Sequence, residues 1–206
     1  MTSLVVVSAG LSNPSSTRLL ADTLTSATID ALDGDEVDIT RIELRDLAHQ
    51  ITDHMLTGFP GVQLGEAIEA LREADGVIAV TPVFSASYSG LFKSFFDVLE
   101  EGLLDGKPVL VGATAGTVRH SLVLDHALRP LMSYLHAVMM PTGVFAATDD
   151  FGDEGLDRRA SQAAHELATF MGRASRGTRL LSRPLVDEQL ENPVPFDLLL
   201  RRASGN

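Results

Sequence analysis

Hydroxyl side chains crowd one short segment near the start of the chain, at residues 8–21, which reads SAGLSNPSSTRLLA. Its members that suit an anion are Ser8, Gly10, Ser12, Ser15, Ser16, Thr17 and Arg18. Hydroxyls and free backbone N–H groups at a helix N-terminus bind anions, and the helix dipole helps them. We predict a phosphate-binding loop here; the alternative is a polar loop whose serines only cap the helix. The spacing matches neither the Walker P-loop nor GxGxxG, which argues against classical triphosphatase and dinucleotide sites.

A second unusual segment, residues 81–97, combines a rigid proline, aromatic rings and serines in TPVFSASYSGLFKSFFD. Pro82 fixes φ and carries no N–H group. Phe84 and Tyr88 offer flat apolar surfaces, and the N–H groups of residues 85–87 can donate to a ligand. This combination suits a planar heterocycle with polar edges, such as a flavin. The alternative is that both rings fill the core; for Lys93 and Asp97 we favour a plain i,i+4 surface pair.

The third segment, residues 112–121, reads GATAGTVRHS and contains the turn-forming residues Thr114, Ala115 and Gly116. A glycine in such a loop is weak evidence alone. His120 follows this turn, where it would touch a nicotinamide nucleotide or, as we prefer, simply lie on the surface. Together the three segments predict one crevice with a phosphate end, a planar slot and a closing rim.

Five apolar segments predict the strands that position these loops, and five helical patterns fall between or after them. Three strands are continuous and β-branched (4–7, 77–80 and 109–111), as in a parallel sheet covered on both faces. Two more run over 37–44, which alternates as an edge strand does, and 137–145, which is interrupted at Pro141. The helical patterns begin at Leu19, Leu64, Leu91, Leu122 and Leu156, the last with Asp153 as N-cap. Strand–helix alternation predicts an α/β fold: a doubly wound five-stranded parallel sheet in three α/β/α layers, with order 2-1-3-4-5. That order places the crevice between the first and third strands.

The size and composition of the chain exclude several kinds of protein. The 206 residues suit one domain, and the absence of cysteine rules out disulfides, thiolate metal sites and a cysteine nucleophile. A net charge of −12 argues against nucleic-acid binding. The six histidines have no paired metal spacing, and the acidic run 148–155 lacks full calcium-loop spacing. We see no membrane span and no signal peptide, and expect a cytoplasmic protein.

The last residues differ in composition from the rest, so we divide the chain into a domain over residues 1–173 and an extension over 174–206. The extension is almost neutral and carries the apolar cluster PVPFDLLLR. We interpret it as an arm that docks on a neighbouring subunit; the alternative is a frayed terminus.

The segments described above, together with HALRPLMSYLHA at 126–137, resemble the flavodoxin-like NADPH-dependent FMN reductase family, and the likeness covers roughly residues 1–173. Within that family the chain is most similar to reductases that supply reduced FMN to partner monooxygenases. By this resemblance the FMN phosphate is held by Ser8, Ser15, Ser16, Thr17 and Arg18. The ring is lined by Pro82, Val83, Phe84 and Ser85, and its edge meets Thr114, Ala115 and Gly116. Many members carry tyrosine where Phe84 stands and a second glycine where Ala115 stands; we expect these changes to alter affinity or access without abolishing binding.

The resemblance implies hydride transfer from nicotinamide to flavin, for which no side-chain acid or base is needed, so no catalytic residue is assigned. NADPH and NADH both remain possible donors. Rival functions are a flavodoxin-type electron carrier, a quinone or azo reductase using the same FMN site, and an α/β scaffold without flavin. Serine hydrolase chemistry is disfavoured because neither Ser8 nor Ser85 lies in GxSxG. Relatives and the apolar helix from Leu91 suggest a homodimer or homotetramer.

Overall fold

The protein's structure is a computed structural model that describes residues 2–33 and 36–174. Apart from residue 174, the predicted C-terminal extension lies outside the described residues. Among the described residues, no helix has both the length and the apolar character needed to cross a membrane.

The centre of the fold is a parallel sheet with the predicted order. The strands are β1 (Thr2–Ser8), β2 (Val37–Glu43), β3 (Gly76–Phe84), β4 (Ser87–Tyr88), β5 (Pro108–Ala115), β6 (Val138–Met139) and β7 (Val144–Ala147). They lie in the order β2-β1-β3-β5-β6, with β7 also paired to β5 and β4 paired antiparallel to β3. The predicted order 2-1-3-4-5 is confirmed, because β6 and β7 together occupy the fifth position.

The number of strands is seven rather than the predicted five. The fifth strand is divided because Pro141, which has no N–H group to donate, falls between β6 and β7. The other addition is β4, a two-residue strand that turns back on the end of β3.

Helices cover both faces of the sheet. They are α1 (Ser16–Ala31), α2 (Leu44–Thr57), α3 (Val62–Glu73), α4 (Gly90–Asp97), α5 (Arg129–Tyr134) and α6 (Glu154–Ala174). Helix α2 was not predicted, and the expected strand to Leu44 ends one residue earlier, at Glu43. Its signal was present in Leu44, Leu47 and Ile51, which recur at helical spacing and are buried.

Two separate apolar cores result from the alternation of side chains along the strands. Leu4 and Val6 of β1 pack with α1 and α6, while Val5 and Val7 pack with the helices on the opposite face. The predicted cap of the last helix is confirmed, since Asp153 Oδ1 accepts a hydrogen bond from Gly155 N at 3.1 Å. This packing holds the carboxyl ends of β1, β3 and β5 side by side.

Candidate functional site

The crevice is formed because neighbouring strands end at different heights. Ser8, the last residue of β1, pairs with Val80 of β3, and Ala9 N donates to Val80 O at 2.9 Å. Beyond that point β3 continues to Phe84, and β5 runs beside it as far as the pairing of Pro82 with Thr114. The ends of β3 and β5 therefore form one wall, and the chain leaving β1 forms the other. This is the switch point at which α/β sheets bind ligands.

The predicted phosphate loop connects β1 to α1 and is built around Gly10. A Cβ atom at Gly10 would overlap Ser15 Oγ and would lie 3.1 Å from Ser15 Cβ, so only glycine leaves room for this serine. Ser15 is the N-cap of α1 and accepts from Arg18 N at 3.2 Å. Ser8 is 2% exposed, and its Oγ has no hydrogen-bond partner within the described residues. A buried hydroxyl without a partner costs free energy unless a ligand satisfies it.

Thr17 connects the phosphate loop to the third segment. Its Oγ1 lies 2.9 Å from Oγ1 of Thr114, and both side chains are buried. This contact therefore links the first turn of α1 to the end of β5, and β3 lies between β1 and β5 in the sheet. This contact brings two of the three predicted segments together.

Arg18 and Ser16 lie further out than the other predicted phosphate residues. The guanidinium of Arg18 is 3.6 Å from Glu43 Oε1 and 4.0 Å from Asp22 Oδ2. Because two carboxylates already neutralise it, the structure does not bring its charge to the loop. Ser16 begins α1 with its side chain exposed. Phosphate binding by these two residues stays a prediction.

The predicted ring-binding segment is a β-hairpin. Val83 pairs with Tyr88 and Phe84 with Ser87, which leaves Ser85 and Ala86 as a two-residue turn. Both turn residues have positive φ, 49° and 66°, as a type I′ turn requires. Below the hairpin, Ser89 N donates to the buried Thr81 Oγ1 at 3.0 Å.

The hairpin separates its two aromatic residues. Phe84 is 47% exposed at the crevice, whereas the Tyr88 ring lies 6.0 Å from that of Phe92 and packs on the core. Of the two flat surfaces considered, only Phe84 is offered to a ligand. The predicted surface pair between Lys93 and Asp97 is confirmed.

Ala86→Gly should stabilise the protein by about 1 kcal/mol, because a left-handed conformation strains alanine and not glycine. The measurement is urea unfolding, with Ala48→Gly inside α2 as the matched control. The control should lose about 1 kcal/mol, since glycine weakens a helix interior. Equal losses in both variants would contradict a strained turn.

The third predicted segment is not a turn throughout, because Thr114 and Ala115 are the last residues of β5, paired to β7, and only Gly116 follows the strand. Thr114 is buried, Ala115 is half-buried and Gly116 is exposed, with open space where a Cβ would lie. Thr117 then caps a single 3-10 turn, Val118–His120, and accepts from Arg119 N at 3.4 Å. A π-helical turn, Leu124–Leu128, follows and leads into α5. The end of that helix at Tyr134 was predicted, but the wider π turn was not.

Acidic residues are absent from the three segments except for Asp97, the last residue of the second, although the chain as a whole is strongly acidic. No aspartate or glutamate occurs in residues 2–21, 76–96 or 106–124. By contrast, β2 ends at Glu43, and Asp149 and Asp150 follow β7. The centre of this sheet edge thus carries N–H groups and hydroxyls without carboxylates, an arrangement that favours an anionic ligand.

Thr17→Val should lower the free energy of unfolding by about 1–3 kcal/mol, because the buried Thr114 hydroxyl loses its partner while the shape is conserved. Combining it with Thr114→Val should restore part of that loss, since no hydroxyl is then orphaned. Urea unfolding of the two single variants and the double variant gives the coupling energy. Strictly additive losses would show that the two hydroxyls do not interact.

Two positioning residues were missed by sequence reasoning. Thr81 holds the base of the hairpin, and Ser89 caps α4 by accepting from Phe92 N at 3.2 Å. A serine directly before an apolar helical pattern is a usual N-cap signal and identifies Ser89. Thr81 had no such signal, because its partner is eight residues away in a strand pairing that was not predicted.

Comparison with known proteins agrees with this geometry. The family model described as NADPH-dependent FMN reductase matches residues 2–152. An FMN reductase (NADPH) from Pseudomonas aeruginosa is 36% identical over 173 residues, covering 82% of this chain and 91% of the relative. A protein from Pseudomonas fluorescens named NADH-dependent FMN reductase SfnF is 37% identical over 174 residues, with the same coverage of both chains. The crystal structure of an oxidoreductase from Corynebacterium diphtheriae superposes with a TM-score of 0.82 at 48% identity, covering 84% of this chain and 98% of that one.

The fold and the crevice define a flavodoxin-like oxidoreductase. With the family match over most of its length, the chain belongs to the NADPH-dependent FMN reductase family. It is therefore an NAD(P)H-dependent FMN reductase, with FMN and a nicotinamide nucleotide as its redox pair.

Proposed function

We propose that this chain reduces FMN in the crevice described above and releases the reduced flavin to a separate flavin-dependent monooxygenase. The observation that carries the proposal is the buried, unpaired Ser8 hydroxyl at the end of β1, beside β3, in stretches of chain (2–21 and 76–96) that contain no carboxylate. Glu43, which pairs with Ser8 in the sheet, is itself paired with Arg18. An anionic phosphate group fits this environment, because it needs donors and is repelled by carboxylates.

FMN supplies the redox chemistry when bound, accepting a hydride from the nicotinamide nucleotide. The chain's own residues would bind and orient it. Ser8, Ser15, Ser16, Thr17 and the backbone at Gly10 would hold the phosphate, with Arg18 reaching it only by leaving Glu43. Pro82, Val83, Phe84 and Ser85 would line the ring, and Thr114, Ala115 and Gly116 would meet its edge. No side chain is assigned a proton-transfer role.

Release of the reduced flavin is supported by the openness of the crevice. Phe84 is half exposed, and space is free above Gly116. The Pseudomonas fluorescens relative carries the name NADH-dependent FMN reductase, in which FMN is the substrate that is reduced. A reductase that exchanges its flavin can serve a partner enzyme without a stable complex.

The test is anaerobic, with FMN in at least twentyfold excess over protein and NADPH or NADH added in turn. We expect the visible flavin band to bleach completely, far beyond one equivalent of protein. Bacterial luciferase with its aldehyde, held behind a dialysis membrane and then given oxygen, should emit light if reduced FMN has left the reductase. Bleaching of one equivalent without light would show a retained cofactor and favour an electron carrier or a quinone reductase.

The quaternary state and the extension are part of the same proposal. We propose that the chain forms a homodimer or homotetramer and that residues 174–206 are an arm that contributes to it. Sedimentation of the full chain and of a chain ending at residue 173 tests both ideas. Monomers of the full chain at working concentration would contradict them.

A further inference from the structure

The choice between the two nicotinamide nucleotides is the open question at this site. The two relatives described above are named for different donors, one for NADPH and the other for NADH. NADPH differs from NADH only in a 2′-phosphate, so a protein that prefers it needs a cation placed to meet that group. The inference below rests on the proposed function, because it concerns the donor of the same site.

Most cations at the carboxyl edge of the sheet are already paired with carboxylates. Arg18 contacts Glu43 and Asp22, Lys93 contacts Asp97, and Arg159 lies 3.7 Å from Asp150. Breaking such a pair would offset much of what a new phosphate contact contributes. At this edge, and within the residues that the structure describes, three arginines have no carboxylate within ion-pair distance: Arg45, Arg119 and Arg158, the last of which directly follows Asp157 in α6.

Arg119 and Arg45 differ in their surroundings. Arg45 lies in the first turn of α2, between Glu43 and Asp46, at the outer edge strand of the sheet. Arg119 is exposed in the middle of the carboxylate-free stretch 106–124. Arg45 has two acidic residues within two positions of it in the chain, whereas Arg119 has none within five positions. The turn of Arg119 contacts β7, which Asp149 and Asp150 follow, and Asp150 is already paired with Arg159.

The position of Arg119 also matches the side of the crevice where the ring would lie. It belongs to the 3-10 turn Val118–His120, two residues beyond the rim glycine Gly116. That turn contacts β7, and the π turn that follows it contacts β4 of the hairpin. The segment that carries Arg119 therefore begins where β5 ends and lies between β7 and the hairpin that carries Phe84.

We propose that Arg119 is the specificity residue for the donor: its guanidinium pairs with the 2′-phosphate of NADPH and makes NADPH the preferred nucleotide. The fork of N–H donors on arginine suits a phosphate, and the exposed side chain needs no rearrangement of the fold to reach it. This residue does no chemistry on the nicotinamide or the flavin. Its effect is confined to the affinity for the donor.

The first test is steady-state FMN reduction by Arg119→Gln at saturating FMN. We expect kcat/KM for NADPH to fall 10- to 100-fold through KM, with the values for NADH within twofold of the unchanged protein. Arg45→Gln is the matched control and should leave the NADPH to NADH ratio unchanged. A wild-type preference for NADH, or a ratio unaltered in Arg119→Gln, would overturn the proposal.

A second measurement does not depend on turnover. Isothermal calorimetry should show 2′,5′-ADP binding more tightly than 5′-AMP to the FMN-loaded protein, with the difference lost in Arg119→Gln and kept in Arg45→Gln. If wild-type protein failed to reduce FMN with either nucleotide, the proposed function would fail, but this binding difference would still test Arg119. Equal binding of the two nucleotides by the wild type would refute the role of Arg119 whatever the activity.

Discussion

Gly10→Ala should raise the dissociation constant for FMN about a hundredfold, which corresponds to roughly 2.7 kcal/mol of binding free energy. The reason is local and steric. The new Cβ would overlap Ser15 Oγ and approach Thr17 Cβ to 3.3 Å, so the Ser15 side chain and the backbone around it must move. Those groups form the proposed phosphate site, and a loop displaced by a few tenths of an ångström no longer directs its N–H groups at one point.

Part of the loss of FMN affinity in Gly10→Ala comes from the disturbed cap of α1 rather than from the phosphate site itself. Ser15 caps α1, and losing an N-cap costs about 1 kcal/mol of stability. Ser15→Ala removes the cap hydroxyl, which is also one of the proposed phosphate contacts, without adding bulk at residue 10, so it separates the loss of this hydroxyl from the displacement of the loop. We expect Ser15→Ala to be less stable by about 1 kcal/mol but to bind FMN better than Gly10→Ala does.

The measurement is quenching of FMN fluorescence on titration with each variant, with urea unfolding of the same preparations. Gly65→Ala in α3 makes the same chemical change where the added Cβ has its nearest neighbour at 4.0 Å, and it should bind FMN as the unchanged protein does. Unaltered FMN affinity in Gly10→Ala would show that the loop after β1 is not the flavin phosphate site.

Phe92→Ala should lower the free energy of unfolding by about 3–5 kcal/mol, the usual range for deleting a fully buried aromatic ring. Phe92 is 0% exposed, and its ring lies 4.7 Å from that of Phe96 and 6.0 Å from that of Tyr88. It joins α4 to the hairpin that carries Phe84. Loss of the ring therefore removes both core packing and the support beneath the ring-binding segment.

Phe59→Ala is the matched control, because the same atoms are deleted from a side chain that is 78% exposed. Its unfolding free energy should change by less than about 0.5 kcal/mol. Urea unfolding measures both, and saturating FMN should raise the midpoint of each variant, since a ligand that binds only the folded state stabilises it. A Phe92→Ala loss as small as the control's would contradict the packing described here. A smaller FMN-induced shift in Phe92→Ala would show that the hairpin depends on this ring.

Local sequence carried enough information for the elements and for the composition of the site. Continuous β-branched segments identified the buried strands, and the serine cluster before Leu19 identified the start of a helix, where Ser15 is the N-cap. These elements can be predicted from local sequence because burial of a strand on both faces and N-capping of a helix each constrain only a few neighbouring residues. The order of the strands was predicted as the common one for five strands in this class of fold, and the structure agrees with it.

Other features are contacts between residues far apart in the chain, and these became known from the tertiary structure alone. The contact between Thr17 and Thr114 joins positions 97 residues apart, and the pairing of Arg18 with Glu43 depends on how α1 lies against β2. The packing of the half-buried Tyr88 on the core and the exposure of Phe84 follow from a hairpin whose turn, Ser85–Ala86, lacks the usual glycine or asparagine. Secondary-structure propensity depends on single residues and their neighbours, whereas backbone strain and charge pairing depend on the whole fold. For this reason the sequence shows which hydroxyls, N–H groups and aromatic rings are present at the sheet edge, and the folded structure shows which of them remain available to a ligand.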